Sequence, residues 1–125
     1  MAFEELLRTV TYEAGQDLSA SQYLFVTQAA DGQVDPTGSA VRASGILQNA
    51  PAAAGRAASV AIVGSICKLR ASAAIARQAL VTSTASGLGV TASTSGAVNA
   101  IALDAATAAN DIITVQVLDG LTLAL

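Results

Sequence analysis

The sequence predicts an all-β domain, a compact β-barrel or β-sandwich of short strands with one short helix and an extended N-terminal arm. If a self-match within the chain is genuine, the domain has two similar lobes. Three observations lead there. Short runs rich in Val, Ile, Leu and Thr alternate with Gly, Pro, Asn and Asp breakers, the punctuation of strands and tight turns. Only one segment has the composition of a helix. The third observation is the self-match: Gly45–Gly64, GILQNAPAAAGRAASVAIVG, has its layout repeated 55 positions later around Ala100–Leu118, AIALDAATAANDIITVQVL.

The match needs no gaps. Ile46 falls on Ile101, Asn49 on Asp104, Gly55 on Asn110 and Val60 on Val115; upstream, Phe25-Val26-Thr27 falls on Leu80-Val81-Thr82. The expected units are Thr9–Val63 and Gly64–Leu118. Alanine bias is the competing explanation, because several matched positions are alanines in a chain that has 29 of them. A period of this size is weighed before other features, because missing it misreads the architecture.

Taken in order, residues 1–16 form the arm. Phe3, Leu6 and Leu7 are spaced for one helical turn, too short to stand alone, and Thr9-Val10-Thr11-Tyr12 alternates like a strand. The arm either docks on another molecule or packs back on its own domain. Residues 17–118 form the β-rich body. Gln22–Gln28 is a strand, Asp31-Gly32 a tight turn, Asp35–Ser39 a loop and Val41–Gln48 a strand. The small-residue turn Ala50–Gly55 leads into strands Ala57–Val63 and Ser65–Arg70. Ala71–Ala79, ASAAIARQA, is the helix, with Ser72 as its cap. Leu80–Ser83 is a strand, Thr84–Gly96 a loop with a weak strand at Gly89–Ala92, and Ala97–Leu103 and Asp111–Leu118 are strands. Asp119-Gly120 is a second tight turn. The tail 119–125 either folds back as a last hairpin strand or extends onto a neighbour.

Composition narrows the function. The 125 residues are 53% hydrophobic but 3% aromatic, so small residues supply most of the apolar content and the core is thin. Charged residues are 12%, about half the usual share for a soluble domain. A surface so poor in charge suits burial against another subunit or a partner. Net charge is −3 with no basic run, which argues against nucleic-acid binding and against an anionic membrane surface. The N-terminus carries Glu4, Glu5 and Arg8 in place of a leader peptide's basic and apolar regions. No apolar run reaches the length of a membrane helix. Cys67 has no internal disulfide partner and reads as a buried inert thiol, which suits synthesis in a reducing cytoplasm.

The chemistry is mostly absence. With no histidine, the histidine-based acid–base, nucleophilic and metal-binding constellations are excluded. The closest carboxylate pairs, Glu4/Glu5 and Asp31/Asp35, lie in an arm and a loop and read as solvated. Ser86-Gly87-Leu88-Gly89 lacks the residues that make a glycine loop hold phosphate. Arg56 reads as a solvated or intersubunit arginine. No catalytic site, cofactor site or metal site assembles.

The pattern resembles the tailed-bacteriophage capsid decoration (cement) proteins. The residues that carry the resemblance are Thr9–Gly15; Gln22–Val26 with Asp31-Gly32; Gly45–Pro51 with Gly55; and Val60–Gly64. In the second half they are Ala73–Ala76 with Leu80–Thr82, and Ile101–Leu103 with Asp111–Val115. Each motif is common; their order and spacing over Thr9–Leu118 are more specific. The chain departs from the pattern at Arg77-Gln78, where a glycine-bearing turn is usual, and in the tail 119–125.

The resemblance implies a non-enzymatic structural protein, made in the host cytoplasm, that sits on the outer surface of the mature virion head. It would be a homotrimer that stabilises contacts between major capsid protein subunits. The expected capsid contact is Phe3, Leu6, Leu7, Val10 and Tyr12 on the arm, where Thr9–Tyr12 could add as a strand to a capsid sheet. The expected subunit contact is the central turn, at Pro51, Gly55 and Arg56. The alternative is a non-enzymatic bacterial surface or polymer-binding β module.

Overall fold

A computed structural model of the chain describes Ala2, residues 7–93 and residues 95–124. Among the described residues the fold is all β, with ten strands in two five-stranded sheets. Strands β1 (Thr9–Ala14), β2 (Phe25–Gln28), β3 (Gln33–Pro36), β4 (Gly45–Leu47) and β5 (Ala57–Ala61) close into a barrel in the order β1-β3-β2-β4-β5. Strands β6 (Ile66–Arg70), β7 (Leu80–Ser83), β8 (Gly89–Thr91), β9 (Ser95–Ala102) and β10 (Ile112–Ala124) form the second sheet, in the order β6-β10-β9-β7-β8.

Both sheets have the same cyclic order, and their registers correspond. Phe25 pairs with Ile46 and Leu80 with Ile101; Val26 pairs with Pro36 and Val81 with Thr91; Ile46 pairs with Ala61 and Ile101 with Gln116. Every partner is displaced by 55. The first strand is displaced by 57 instead: Ala14 pairs with Val34, and Ala71 forms a parallel bridge with Gly89. The two-residue difference arises between Leu18 and Ser21. Leu18 N–H donates to Pro51 O as Ile75 N–H donates to Ala106 O, whereas Leu24 N–H donates to Ser21 O as Ala79 N–H donates to Ala76 O. Two uncommon backbone positions also correspond. Tyr23 and Gln78 both have positive φ (67° and 70°), a region non-glycine residues rarely visit. Gly55 (84°) is matched by Asn110 (69°), the two residue types that tolerate it best.

Period-two alternation places one face of each strand inside. Ala14, Leu18, Val26, Val34, Leu47, Ala58 and Val60 fill the barrel, with Tyr12 packed against them. Their counterparts Ala71, Ile75, Val81, Ala102, Ile113 and Val115 fill the second unit. The opposite faces of β2, β4 and β5 are apolar too. Phe25, Ile46 and Ala61 point out of the barrel and join the second core, fully buried. These three side chains weld the units together.

The weld also explains why the second sheet stays open. Arg70, the counterpart of Glu13, gives its N–H to Tyr23 O at 2.8 Å, and Phe25 N–H donates to Gly87 O at 2.8 Å. The first unit's Tyr23–Phe25 backbone thus takes the hydrogen bonds that a β6–β8 ladder would use. Among the described residues, the Ala71–Gly89 bridge alone pairs β6's end with β8 across that gap.

Several expectations are corrected. Ala71–Ala79 is not a helix: Ala71 and Ile75 bridge to Gly89 and Ala106, and left-handed Gln78 ends any helical path. Paired backbone groups fixed by tertiary contacts outweigh a weak propensity of alanine. Val41–Gln48 shortens to β4, because Ala40 has φ 54° and the stretch before Gly45 is held by side chains: Asn99 Oδ1 accepts Ala43 N–H at 3.0 Å and Asn99 Nδ2–H donates to Val41 O at 2.9 Å. Part of the expected loop Asp35–Ser39 belongs to β3. Asp119-Gly120 is a bulge and not a hairpin turn: β10 runs on through it, with a register shift between Val117 and Leu121, and keeps β9 as its partner. The Asp31-Gly32 turn does join β2 to β3, with Asp31 Oδ1 accepting Gln33 N–H.

Candidate interaction surface

Phe3 and Leu6 lie outside the described residues. The other arm residues are placed by β1. Thr9–Glu13 pairs antiparallel with Ala57–Ala61, and Glu13 and Ala14 pair with β3, so the segment from Thr9 is a wall of the barrel. Arg8 is the pinning point. Its N–H donates to Ser65 Oγ at 2.9 Å, its carbonyl accepts the Ser65 hydroxyl at 2.8 Å and Ile62 N–H at 3.0 Å, and Ser65 is fully buried.

Around this point the surface is apolar. Leu7 is 41% exposed, Val10 38% and Val63 48%. The β1–β5 register, continued through Ile62 and Arg8, sets Leu7 opposite Val63. Tyr12 is half-buried and reaches an open cleft of about 320 Å³ that it shares with Thr27, Arg42, Ser44, Val63 and Asp119. Arg42 Nε–H donates to Asp119 O at 2.8 Å, which ties the loop before β4 to the bulge in β10. Of the expected contact residues, Tyr12 lines this cleft, whereas Leu7 and Val10 are exposed without lining it. Sequence reasoning did not single out Val63, which lines the cleft and follows directly after the β5 run, or Val41, exposed beside Arg42.

The central turn stands at the other end of the β1–β5 ribbon, since Glu13 pairs with Ala57 next to it. Pro51 is buried there and its carbonyl accepts Leu18 N–H; Gly55 and Arg56 are exposed. Of the described contact residues, Leu7 therefore lies towards one end of the ribbon and Gly55 and Arg56 at the other, with Val10 and Tyr12, paired with Val60 and Ala58, between them.

The equivalent turn of the second unit is held by a carboxylate. Asp111 Oδ2 accepts Thr107 N–H at 2.9 Å, the Thr107 hydroxyl at 3.0 Å and Ala108 N–H at 3.1 Å. The Thr107 amide leads these bonds in holding the Asp111 carboxyl below its ordinary value. A depressed folded-state value stabilises the fold above the ordinary carboxylate range, and the contribution vanishes as pH falls through the folded-state value. We expect Asp111→Asn to lower the melting temperature at neutral pH and to match wild type in strong acid. A melting difference that stays constant with pH would refute this role.

Among the described residues, no three His, Cys, Asp or Glu side chains gather as a metal site. No helix there is long and apolar enough to cross a membrane.

No family model matches the chain, and no curated protein matches it in sequence. A solved structure does match in fold: the crystal structure of the head fiber gp8.5 N base in bacteriophage phi29, with a TM-score of 0.66 and 13% identity. The likeness covers 92% of this chain and 97% of that one. The shared fold includes both units, since neither unit alone could supply that coverage.

Proposed function

We propose that this chain is a non-enzymatic structural protein of a bacteriophage virion, seated on the outer surface of the head. The observation that carries the reading is the fold shared with a phage head fiber base over nearly the full length of both chains. The charge-poor composition and the exposed apolar side chains of Leu7, Val10 and Val63 support a protein meant to be covered.

In its finer form, the protein is a decoration protein that clamps neighbouring major capsid subunits. The contact is made by the chain's first residues, with Phe3, Leu6, Leu7, Val10 and Tyr12, and many weak contacts add up over a symmetric shell. The protein acts as a homotrimer, for which the exposed Gly55–Arg56 turn is one candidate contact. Its body is built as two similar halves, the first beginning with β1 and the second ending with β10.

The test is quantitative mass spectrometry of purified virus particles, measuring this protein against the major capsid protein. A ratio near parity supports decoration across the lattice. A ratio of a few per cent supports a fiber base or a vertex role, and absence from particles overturns the proposal. For the arm, the truncation should stop before the Arg8 pin. Deleting residues 1–7 should leave the barrel folded and abolish co-sedimentation with heads; unchanged binding would remove the arm from the contact.

A further inference from the structure

One strand pair parts at the same place in both units. The β2–β4 ladder stops after Val26 and Gly45, and the β7–β9 ladder stops at their counterparts, Val81 and Ala100. In the second unit the segment before β4 enters the gap beyond. Ala40 N–H donates to Ser83 O at 2.9 Å, and Ala97 N–H donates to Ala40 O at 3.0 Å, so a single residue bridges the parted strands. Its neighbours are held as well. The Ser83 hydroxyl donates to Gly38 O at 2.6 Å, and the Asn99 side chain binds Val41 O and Ala43 N–H. Ser83, Ala97 and Asn99 are all buried.

The counterparts in the first unit are Gln28, Arg42 and Ser44. Gln28 and Arg42 are exposed, and Ser44 is half-buried. Ser44 Oγ accepts Gln28 N–H at 3.0 Å. The Gln28 carbonyl and the Arg42 N–H, equivalent to the two groups that hold Ala40, have no hydrogen-bond partner among the described residues. Paired backbone groups are the rule where structure covers them. Here the space is the open cleft of about 320 Å³, which Arg42, Ala43 and Ser44 line. Tyr12 and Val63 add apolar surface to it, and Arg42 and Asp119 place one charge of each sign beside it.

We propose that this cleft receives an extended segment of a partner protein, held between β2 and β4 as Gly38–Val41 is held between β7 and β9. The mode is strand addition, in which backbone bonds supply the attachment and side-chain pockets the choice of sequence. The chain's own segment is the template for the chemistry. Gly-Ser-Ala-Val is uncharged, with small residues up to the bridging position. The bridging residue Ala40 has φ 54°, so glycine suits that place best. A neutral segment also matches a cleft whose two charges are of opposite sign. The proposal does not depend on the place on a virus head, and its test uses the purified chain.

The experiment titrates the full chain with a capped synthetic peptide of the Thr37–Val41 sequence carrying Ala40→Gly, followed by amide NMR. Saturable shifts are expected at Arg42, Ala43 and Ser44, with the Arg42 amide moving to lower field and exchanging more slowly with solvent. Arg42→Pro, which removes that N–H, should weaken binding roughly tenfold or more. Val63→Trp, an exposed position whose larger side chain fills the cleft, should do the same and stands as the test if Arg42→Pro fails to fold. Ile112→Ser, exposed on the second unit away from the cleft, should bind as wild type does. Absence of shifts at millimolar peptide would overturn the proposal, as would shifts centred on Ser83 and Ala97, or binding unchanged in Val63→Trp. Cleft shifts that grow with the concentration of the chain alone would make the occupant a second copy and overturn the partner segment.

Discussion

Phe25→Ala should be the most damaging truncation in the chain. Phe25 is fully buried and is the largest side chain in the weld between the units. Its ring belongs to the second core although its strand belongs to the first barrel. Removing it opens a cavity where neither unit can collapse without moving the other. Buried Phe→Ala changes cost about 3–5 kcal/mol, a large share of the ~5–15 kcal/mol that holds a domain together. The melting temperature should fall by on the order of 10–20 °C. Leu80→Ala is the internal comparison: the same position in the second unit, partly exposed, should cost far less in the isolated chain. Chemical denaturation of both variants checks this. Equal losses at Phe25 and Leu80 would refute the asymmetry between the two faces.

Gly45→Val should be the most damaging addition. Gly45 opens β4, between Val26 on β2 and the start of β5's pairing with β4. A Cβ there would run into the Ala61 carbonyl oxygen and would stand 2.6 Å from Val60 Cγ1. The first obstacle is backbone in a paired strand, so it cannot turn aside as a side-chain tip can. Overpacking of this kind costs about 1–3 kcal/mol and occasionally more; a backbone clash in a closed barrel belongs at the upper end, and the expected result is a poorly folded protein. Gly55→Asn is the control. A Cβ there meets nothing within 4 Å, and Asn110 already holds the same left-handed conformation in the second unit. That variant should fold with nearly wild-type stability. Circular dichroism and thermal melts of the two variants decide the matter, and a well-folded Gly45→Val would show that the β4–β5 contact yields more than its geometry implies.

Much of this was legible in the chain. Leu80–Ser83 reads as a strand and is one, with the same bounds, because Leu-Val-Thr-Ser lies between the left-handed Gln78 turn and the Thr84–Gly87 turn. The Asp31-Gly32 turn was legible because an aspartate that caps its own turn followed by a glycine with φ 87° is a local device. Tyr12 was singled out from its strand-like run Thr9–Tyr12, and it does reach the cleft. Val63 could not be added, since its place beside Tyr12 at the cleft depends on strand pairing.

The sequence by itself determined what depends on neighbouring residues. That includes an all-β chain, the alternation that gives each strand an inner face, and the spacing of 55 that recurs in the ladders from β2 onward. Tertiary structure alone decided the rest. Alanine, arginine and glutamine at Ala71–Ala79 lean to helix by tenths of a kcal/mol per residue, and bridges to Gly89 and Ala106, distant in the chain, overrode that lean. A gapless offset could not reveal the two extra residues between Leu18 and Ser21, because a loop of any such length lets Ala14 and Ala71 reach equivalent partners. Nor could it reveal that one unit closes and the other stays open. That difference comes from where Tyr23–Phe25 inserts its backbone, since each N–H and carbonyl forms its bond with whichever partner the packed fold brings within reach.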